Sequence, residues 1–224
     1  MISLLPDRLF ITGTDTGVGK TVTTAALVAS MPGAIGLKPL ATGVPEGSCG
    51  EDAALLALAG DRAPEVYQRW TLPVSPHRAA MESGVEASLE GVMNWIHSRT
   101  RAQTYVEGVG GWRVPISLSW GIPDLAQALG WPVLVVAANR LGVLNHTLLT
   151  VQAVRQSGLE VCGIVLNQGT PDAPGEEAAR QRNLDDLQLL LDLPVGTLDR
   201  LSACSREELA RAGTALRHTL DTRV

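Results

Sequence analysis

Leu9-Phe10-Ile11-Thr12, followed directly by Gly13-Thr14-Asp15-Thr16-Gly17-Val18-Gly19-Lys20-Thr21, is the stretch that decides the fold. The first four residues read as a buried strand, and Lys20–Ser30 reads as the helix after it. Glycines between the two let the chain curl tightly and bring several backbone N–H groups toward one point. The N-terminus of the following helix adds its positive partial charge, so the turn is built for phosphate oxygens. Lys20 supplies a cation for the β- and γ-phosphates, and the Thr21 hydroxyl is spaced to reach Mg²⁺. The usual phosphate loop has four residues between its first glycine and Gly-Lys-Ser/Thr; here five intervene, Thr14 to Val18. An empty Gly-rich turn would give no packing reason for Gly-Lys-Thr at a strand–helix junction.

Outward from this loop, strands and helices alternate. Ala34–Pro39 is read as a second strand, Asp52–Ala59 as a short helix, and Ala87–Thr100 as a helix with Leu89, Val92, Met93 and Ile96 on one face. Thr104–Glu107 is a strand, Asp124–Leu129 a helix, and Pro132–Ala138 a continuous apolar run suited to a strand covered on both faces. Asn145 is expected to cap a helix reaching Ser157. Val161–Leu166, Ala178–Leu191 and Val195–Leu198 follow as strand, helix and strand. Ser205 with Glu208 matches a capping box opening the last helix. Gly43–Gly50 and Gly169–Gly175 read as loops. The pattern predicts an α/β, P-loop NTPase-type, doubly wound and mostly parallel sheet with helices on both faces, forming one domain over residues 1–224. Ligands of such a sheet gather at the carboxyl ends of its strands.

Composition narrows the function. With 45% apolar residues, the 224-residue chain can bury a sizeable core. A formal charge of −5 gives no electrostatic case for nucleic acid or an anionic membrane. No apolar run approaches the roughly 20 residues of a membrane span. The three cysteines are scattered and odd in number, without metal-ligand spacing, which points to a reducing cytoplasm. Arginine fills every basic position except two, and those two, Lys20 and Lys38, both fall in ligand-type motifs.

The loop does not stand alone. Gly36-Leu37-Lys38-Pro39-Leu40-Ala41-Thr42-Gly43, Val74-Ser75-Pro76-His77, Val106-Glu107-Gly108-Val109-Gly110-Gly111-Trp112 and Leu141-Gly142-Val143-Leu144-Asn145-His146 follow it in order. Together these segments resemble the dethiobiotin synthetase family, ATP-dependent ligases that form C–N bonds in biotin biosynthesis. The resemblance implies a reaction of 7,8-diaminononanoate, CO₂ and ATP with Mg²⁺. A carbamate and then a carbamic–phosphoric anhydride precede closure of the ureido ring.

Residue roles follow from the same resemblance. Lys20, Lys38 and Thr16 take catalytic positions. Gly13 to Thr21, Asp52, Glu107, Gly108, Val109, Gly110, Asn167 and Gln168 surround ATP. Thr21, Asp52 and Glu107 hold the metal. Glu107, at a strand end before glycines, suits a carboxylate aimed into a cleft; for Asp52, an N-cap role or substitution by Glu51 stays open. Thr42, Pro73, Pro76 and Gly142-Val143-Leu144-Asn145 contact the diamine. The last segment is expected to come from the partner in a homodimer, its helix N-terminus facing the substrate carboxylate. Two departures from the family stand out. Gly17 replaces an acidic residue that some relatives carry. Leu198-Asp199-Arg200-Leu201 stands where Pro-Trp-Leu is common, which bears on base selectivity.

Two rivals share such a loop. A corrinoid-type amide ligase would need a glutamine-hydrolysing domain for which the chain is too short. A nucleotide-switched ATPase of the partition or site-placement type would carry an extra lysine where Thr14 and Asp15 stand.

Overall fold

The computed structural model describes residues 5–169 and 177–221; most of the Gly169–Gly175 stretch therefore lies outside the described residues. The elements run β1 (Arg8–Gly13), α1 (Lys20–Ala29), β2 (Ile35–Leu37), β3 (Leu40–Thr42), α2 (Glu51–Ala59), β4 (Gln68–Trp70), α3 (Pro76–Ser83) and α4 (Leu89–Arg99). They continue with β5 (Thr104–Glu107), α5 (Ile122–Leu129), β6 (Val133–Ala138), α6 (Val143–Gln156), β7 (Val161–Asn167), α7 (Glu177–Leu190), β8 (Val195–Leu198) and α8 (Arg206–Asp221). Six strands form one sheet in the order β2-β5-β1-β6-β7-β8, and every pairing in it is parallel.

The strand residues explain this arrangement. All six positions of β6 are buried, because its alternate side chains face two different layers. Val133, Val135 and Ala137 join the core that includes Val92 and Ile96 of α4, Leu125 of α5, Val151 of α6 and Leu187 of α7. Leu134, Val136 and Ala138 join the opposite core, with Ala25 to Val28 of α1, Leu56 of α2, and Leu209 and Leu216 of α8. A period of two on a strand covered on both faces thus yields helices on both faces. β1 splits the same way, with Phe10 on one side and Leu9 and Ile11 on the other. Strand order reverses about β1, so its carboxyl end, where the glycine loop starts, lies at the crevice of the sheet.

Three expectations are corrected. The second strand does not run through Ala34–Pro39. Pro39 has no N–H to donate, so β2 ends at Leu37. The chain then leaves the sheet, and β3 pairs in parallel with β4 in a separate two-stranded sheet. That break sets Lys38 at the carboxyl edge. Asn145 is not the N-cap of α6; Gly142, at φ +87°, holds that position because the turn requires a left-handed residue. In the last helix, Ser205 Oγ accepts from the Glu208 N–H at 3.2 Å, but the Glu208 carboxylate reaches further back. It accepts from Ser202 N at 2.7 Å and Ala203 N at 2.9 Å. Those bonds hold its carboxyl at about 2, led by the Ser202 N–H. Sequence reading missed α3, although Ser75-Pro76 and Gly84, at φ +70°, mark its two ends.

α8 lies against α1 so closely that a β-carbon at Gly213 would stand 1.9 Å from the Ala26 carbonyl oxygen. In an open helix Gly→Ala is stabilising by roughly 1 kcal/mol. Here the clash with backbone reverses the sign, and Gly213→Ala is expected to cost about 2–3 kcal/mol by overpacking. Urea unfolding measures this; an unchanged or higher midpoint would contradict the packing.

Candidate active site

The carboxyl ends of β1, β2, β3 and β5 and the start of α2 enclose a cavity of about 480 Å³. Thr16, Gly17, Gly19, Lys20, Thr21, Lys38, Thr42, Asp52, Glu107, Val109 and Gly110 line it. Residues from four separate sequence segments therefore meet, and both lysines of the chain open into the same space.

Lys20 is 6% exposed and donates to the Asp15 carbonyl at 2.9 Å. Gly13 and Gly19 let the loop fold this closely. A β-carbon on Gly13 would press on Val18 at 2.8 Å, and one on Gly19 would meet the Asn167 amide at 2.0 Å. Burial first and nearby Lys38 second pull the Lys20 ammonium down, and Glu107, Asp52 and Asp15 oppose this only in part, which leaves it at about 8. The ammonium is thus short of negative partners, and an arriving polyanion would supply them.

Lys38 is 3% exposed and spends all three N–H donors. They go to Glu107 Oε1 at 2.6 Å, Asp52 Oδ2 at 2.8 Å and the Gly108 carbonyl at 3.2 Å. Burial works against its charge, but Glu107 and Asp52 outweigh burial and hold its pKa above the usual lysine value. For Asp52, burial raises the carboxyl, and Lys38 with the Thr21 hydroxyl overrides it, leaving it below the usual aspartate value. A lysine at a strand end would ordinarily reach into solvent; here the break before Pro39 turns Lys38 inward.

Asp52 is the second residue of α2 and Gly50 its N-cap, which removes the capping alternative. Glu51 lines the cavity too, but Asp52 makes the bonds. The Thr21 hydroxyl lies 2.9 Å from both Asp52 Oδ1 and Glu107 Oε1. One hydroxyl proton cannot serve two carboxylates, so one of these oxygen pairs has no hydrogen between them. Glu107 Oε2 is buried with no partner among the described residues. Three hard oxygen donors with such leftover capacity fit a small divalent cation. Among the described residues no three His, Cys, Asp or Glu side chains converge. A cation here would complete its shell from water and phosphate oxygens, the habit of Mg²⁺.

Other expected residues fall around this centre. Asn167 ends β7; its Nδ2 donates to the Val18 carbonyl at 3.0 Å and its Oδ1 accepts from Gly169 N at 2.9 Å, tying that strand to the loop. Gln168 accepts at Oε1 from Asn139 Nδ2 at 2.8 Å. Pro73 packs on Gly43, and Pro76 is the buried first residue of α3. Gly142, Val143, Leu144 and Asn145 do not line the cavity. At Gly17 nothing lies within 4 Å of where a side chain would begin. Sequence reading passed over Val22, Ala41 and Leu55, which with Val109 supply the apolar part of the lining; Leu55 sits one helical turn after Glu51, a signal that was available. It also passed over the buried Asn139, whose Oδ1 accepts from Asn183 Nδ2 at 2.7 Å.

Residues 7–208 match a family described as an AAA domain. A protein of Ralstonia nicotianae described as ATP-dependent dethiobiotin synthetase BioD is 40% identical over 206 residues, covering 86% of this chain and 88% of its own. One of Cellvibrio japonicus with the same description is 36% identical, covering 88% and 91%. The chain belongs to the dethiobiotin synthetase family. It is an ATP-dependent ligase of biotin biosynthesis that forms dethiobiotin. Among solved structures, the cell-division ATPase MinD of Pyrococcus furiosus matches with a TM-score of 0.56 at 14% identity, covering 95% of this chain and 98% of its own. A ParA family ATPase of Chlorobium tepidum matches with a TM-score of 0.50 at 12% identity, covering 98% and 96%. At such identities these two show the shared P-loop α/β fold and nothing of function. Among the described residues no helix is long and apolar enough to cross a membrane.

Removing the Lys38 charge strands two carboxylates, one of them wholly buried. Lys38→Met is expected to destabilise the ligand-free enzyme by about 3–5 kcal/mol. Adding Glu107→Gln should recover part of the loss. The raised pKa of Lys38 sets the window: its contribution is complete below the ordinary lysine pKa and fades only as pH rises through the higher folded value. Equal stability of wild type and Lys38→Met at pH 7 would contradict the pairing.

Proposed function

We propose that this single P-loop domain joins 7,8-diaminononanoate and CO₂ using ATP, in the cavity shared by Lys20 and Lys38. The observation that carries this reading is the opening of both lysines, Thr21, Asp52 and Glu107 into one space. One substrate amine adds to CO₂ and loses a proton, giving a carbamate. A carbamate oxygen then attacks the γ-phosphorus, ADP departs, and a carbamic–phosphoric anhydride remains. The neighbouring amine attacks the carbonyl carbon, phosphate leaves, and the five-membered ureido ring closes.

The protein's work is positioning and neutralising charge. Backbone N–H groups of Gly13 to Thr21 and the Lys20 ammonium cradle the triphosphate, with Gly108, Val109 and Gly110 beside the loop and Asn167 and Gln168 on the base side. Thr21, Asp52 and Glu107 hold Mg²⁺, which when bound offsets phosphate charge. Lys38 needs only to release its longest bond, to the Gly108 carbonyl, to place one N–H between carbamate and γ-phosphoryl oxygens. Thr16 lies beside the carbamate and Thr42 beside the diamine, with Pro73 and Pro76 shaping that side. Backbone or water serves the amine where Gly17 carries no side chain.

The enzyme is proposed to act as a homodimer in the cytoplasm. Gly142-Val143-Leu144-Asn145, lying outside the chain's own cavity at the start of α6, would receive the substrate carboxylate in the partner's site. Leu141 and Leu149, 68% and 57% exposed, flank this turn as apolar surface for a second copy. Neither a nucleic-acid nor a membrane partner is needed.

Phosphate release is expected only with diamine, bicarbonate and Mg²⁺ together, with dethiobiotin confirmed by mass. Asn145→Ala should raise KM for the diamine with little change in kcat. ATP hydrolysis at the same rate without the diamine would overturn the reading in favour of a nucleotide switch, and full activity of a stable monomer would overturn the shared site.

A further inference from the structure

An acidic residue on a phosphate loop is a liability. Asp15 stands on the crest of the loop with its side chain 58% exposed. Its backbone carbonyl accepts from Lys20, so it is fixed beside the very group that would meet the triphosphate. Its Oδ1 accepts from Thr16 N at 2.7 Å and so helps shape the loop. The carboxylate as a whole nevertheless opposes the approach of a tetra-anion. Arg140 faces it. The guanidinium Nη2 lies 3.5 Å from Asp15 Oδ2, across 125 residues of sequence, with the Arg140 side chain 44% exposed.

The base from which Arg140 reaches is rigid. It follows Asn139, the first residue after β6. Asn139 is 1% exposed and joins Gln168 and Asn183 through bonds of 2.8 and 2.7 Å. The Arg140 carbonyl accepts from Val143 N at 3.1 Å, closing the turn into α6. Beside it, Thr14 N donates to Val136 O at 3.0 Å, so β6 is also tied to the loop itself. The arginine is thus presented to the loop from a fixed strand end and not from a swinging segment.

We propose that Arg140 is a positioning residue that neutralises Asp15, letting the phosphate loop keep a carboxylate for its shape while accepting a triphosphate. The inference rests on the reading that this loop binds ATP. It assigns to Arg140 no contact with substrate: it acts through Asp15, on nucleotide affinity and not on chemistry.

A double-mutant cycle separates these roles, with Mg·ATP affinity measured by titration calorimetry and KM and kcat measured alongside. Arg140→Gln is expected to weaken ATP binding about three- to tenfold, the scale of an exposed charge acting on a highly charged ligand, with kcat unchanged. Asp15→Asn keeps the acceptor for Thr16 N and removes the charge, so ATP should bind at least as tightly as to wild type. In that background Arg140→Gln should have no further effect. If the loss persists in the Asp15→Asn background, the arginine touches phosphate itself and the proposal is wrong. If Arg140→Gln leaves affinity unchanged, or lowers kcat instead, it is equally wrong. Failure of the wild-type chain to bind Mg·ATP at all would instead overturn the reading of the site.

Discussion

The Lys38 ammonium, gripped by Glu107, Asp52 and the Gly108 carbonyl, is the contact on which the remaining geometry depends. A buried cation with two carboxylates is tolerable only if each charge is matched, and here the matching draws together the ends of β2 and β5 and the first turn of α2. Thr21 then joins the same carboxylates from α1. Four chain segments are fixed by one set of charges. That set is also left unfinished, with Glu107 Oε2 unpaired and Lys20 lacking a full complement of negative neighbours. In the proposed reading, a ligand bearing both phosphate and a divalent cation would complete it from both sides.

The family and the fold answer different questions. The MinD and ParA structures share the sheet at 14% and 12% identity, and on fold alone a switch ATPase would serve as well. Synthetase relatives at 36–40% identity over most of the chain decide the activity. The side chains at the strand ends agree with that decision. The early part of the loop holds Thr14 and Asp15, and a second cation reaches the cavity from β2 through Lys38.

Much of this was legible in the sequence where one local rule dominates. The glycine loop, the two-sided strand β6 and the strand end at Glu107 each follow from periodicity or turn chemistry, and the structure agrees with them. What escaped was decided by tertiary context. Pro39 carries a local signal for the break in its missing N–H, but nothing local marks that β3 would then pair with β4. Nor does anything local mark that Lys38 would be buried by carboxylates 14 and 69 residues away. The N-cap of α6 passed from Asn145 to Gly142 because the turn after Arg140 needs a left-handed residue. Sequence spacing alone gives Asn the stronger capping preference. The pairing of Arg140 with Asp15 belongs to the same class: two ordinary surface residues acquire a relation only when β6 settles beside β1.

The presence of just two lysines makes the central claim open to direct observation. Titrating ¹⁵N-lysine-labelled enzyme by NMR, with and without Mg·ATP, reports each ammonium separately. The account predicts that in the free enzyme Lys20 loses its proton near 8 while Lys38 holds its own beyond the ordinary lysine value, and that nucleotide drives the Lys20 value upward. Two lysines titrating alike near the ordinary value, indifferent to nucleotide, would mean that they share no cavity.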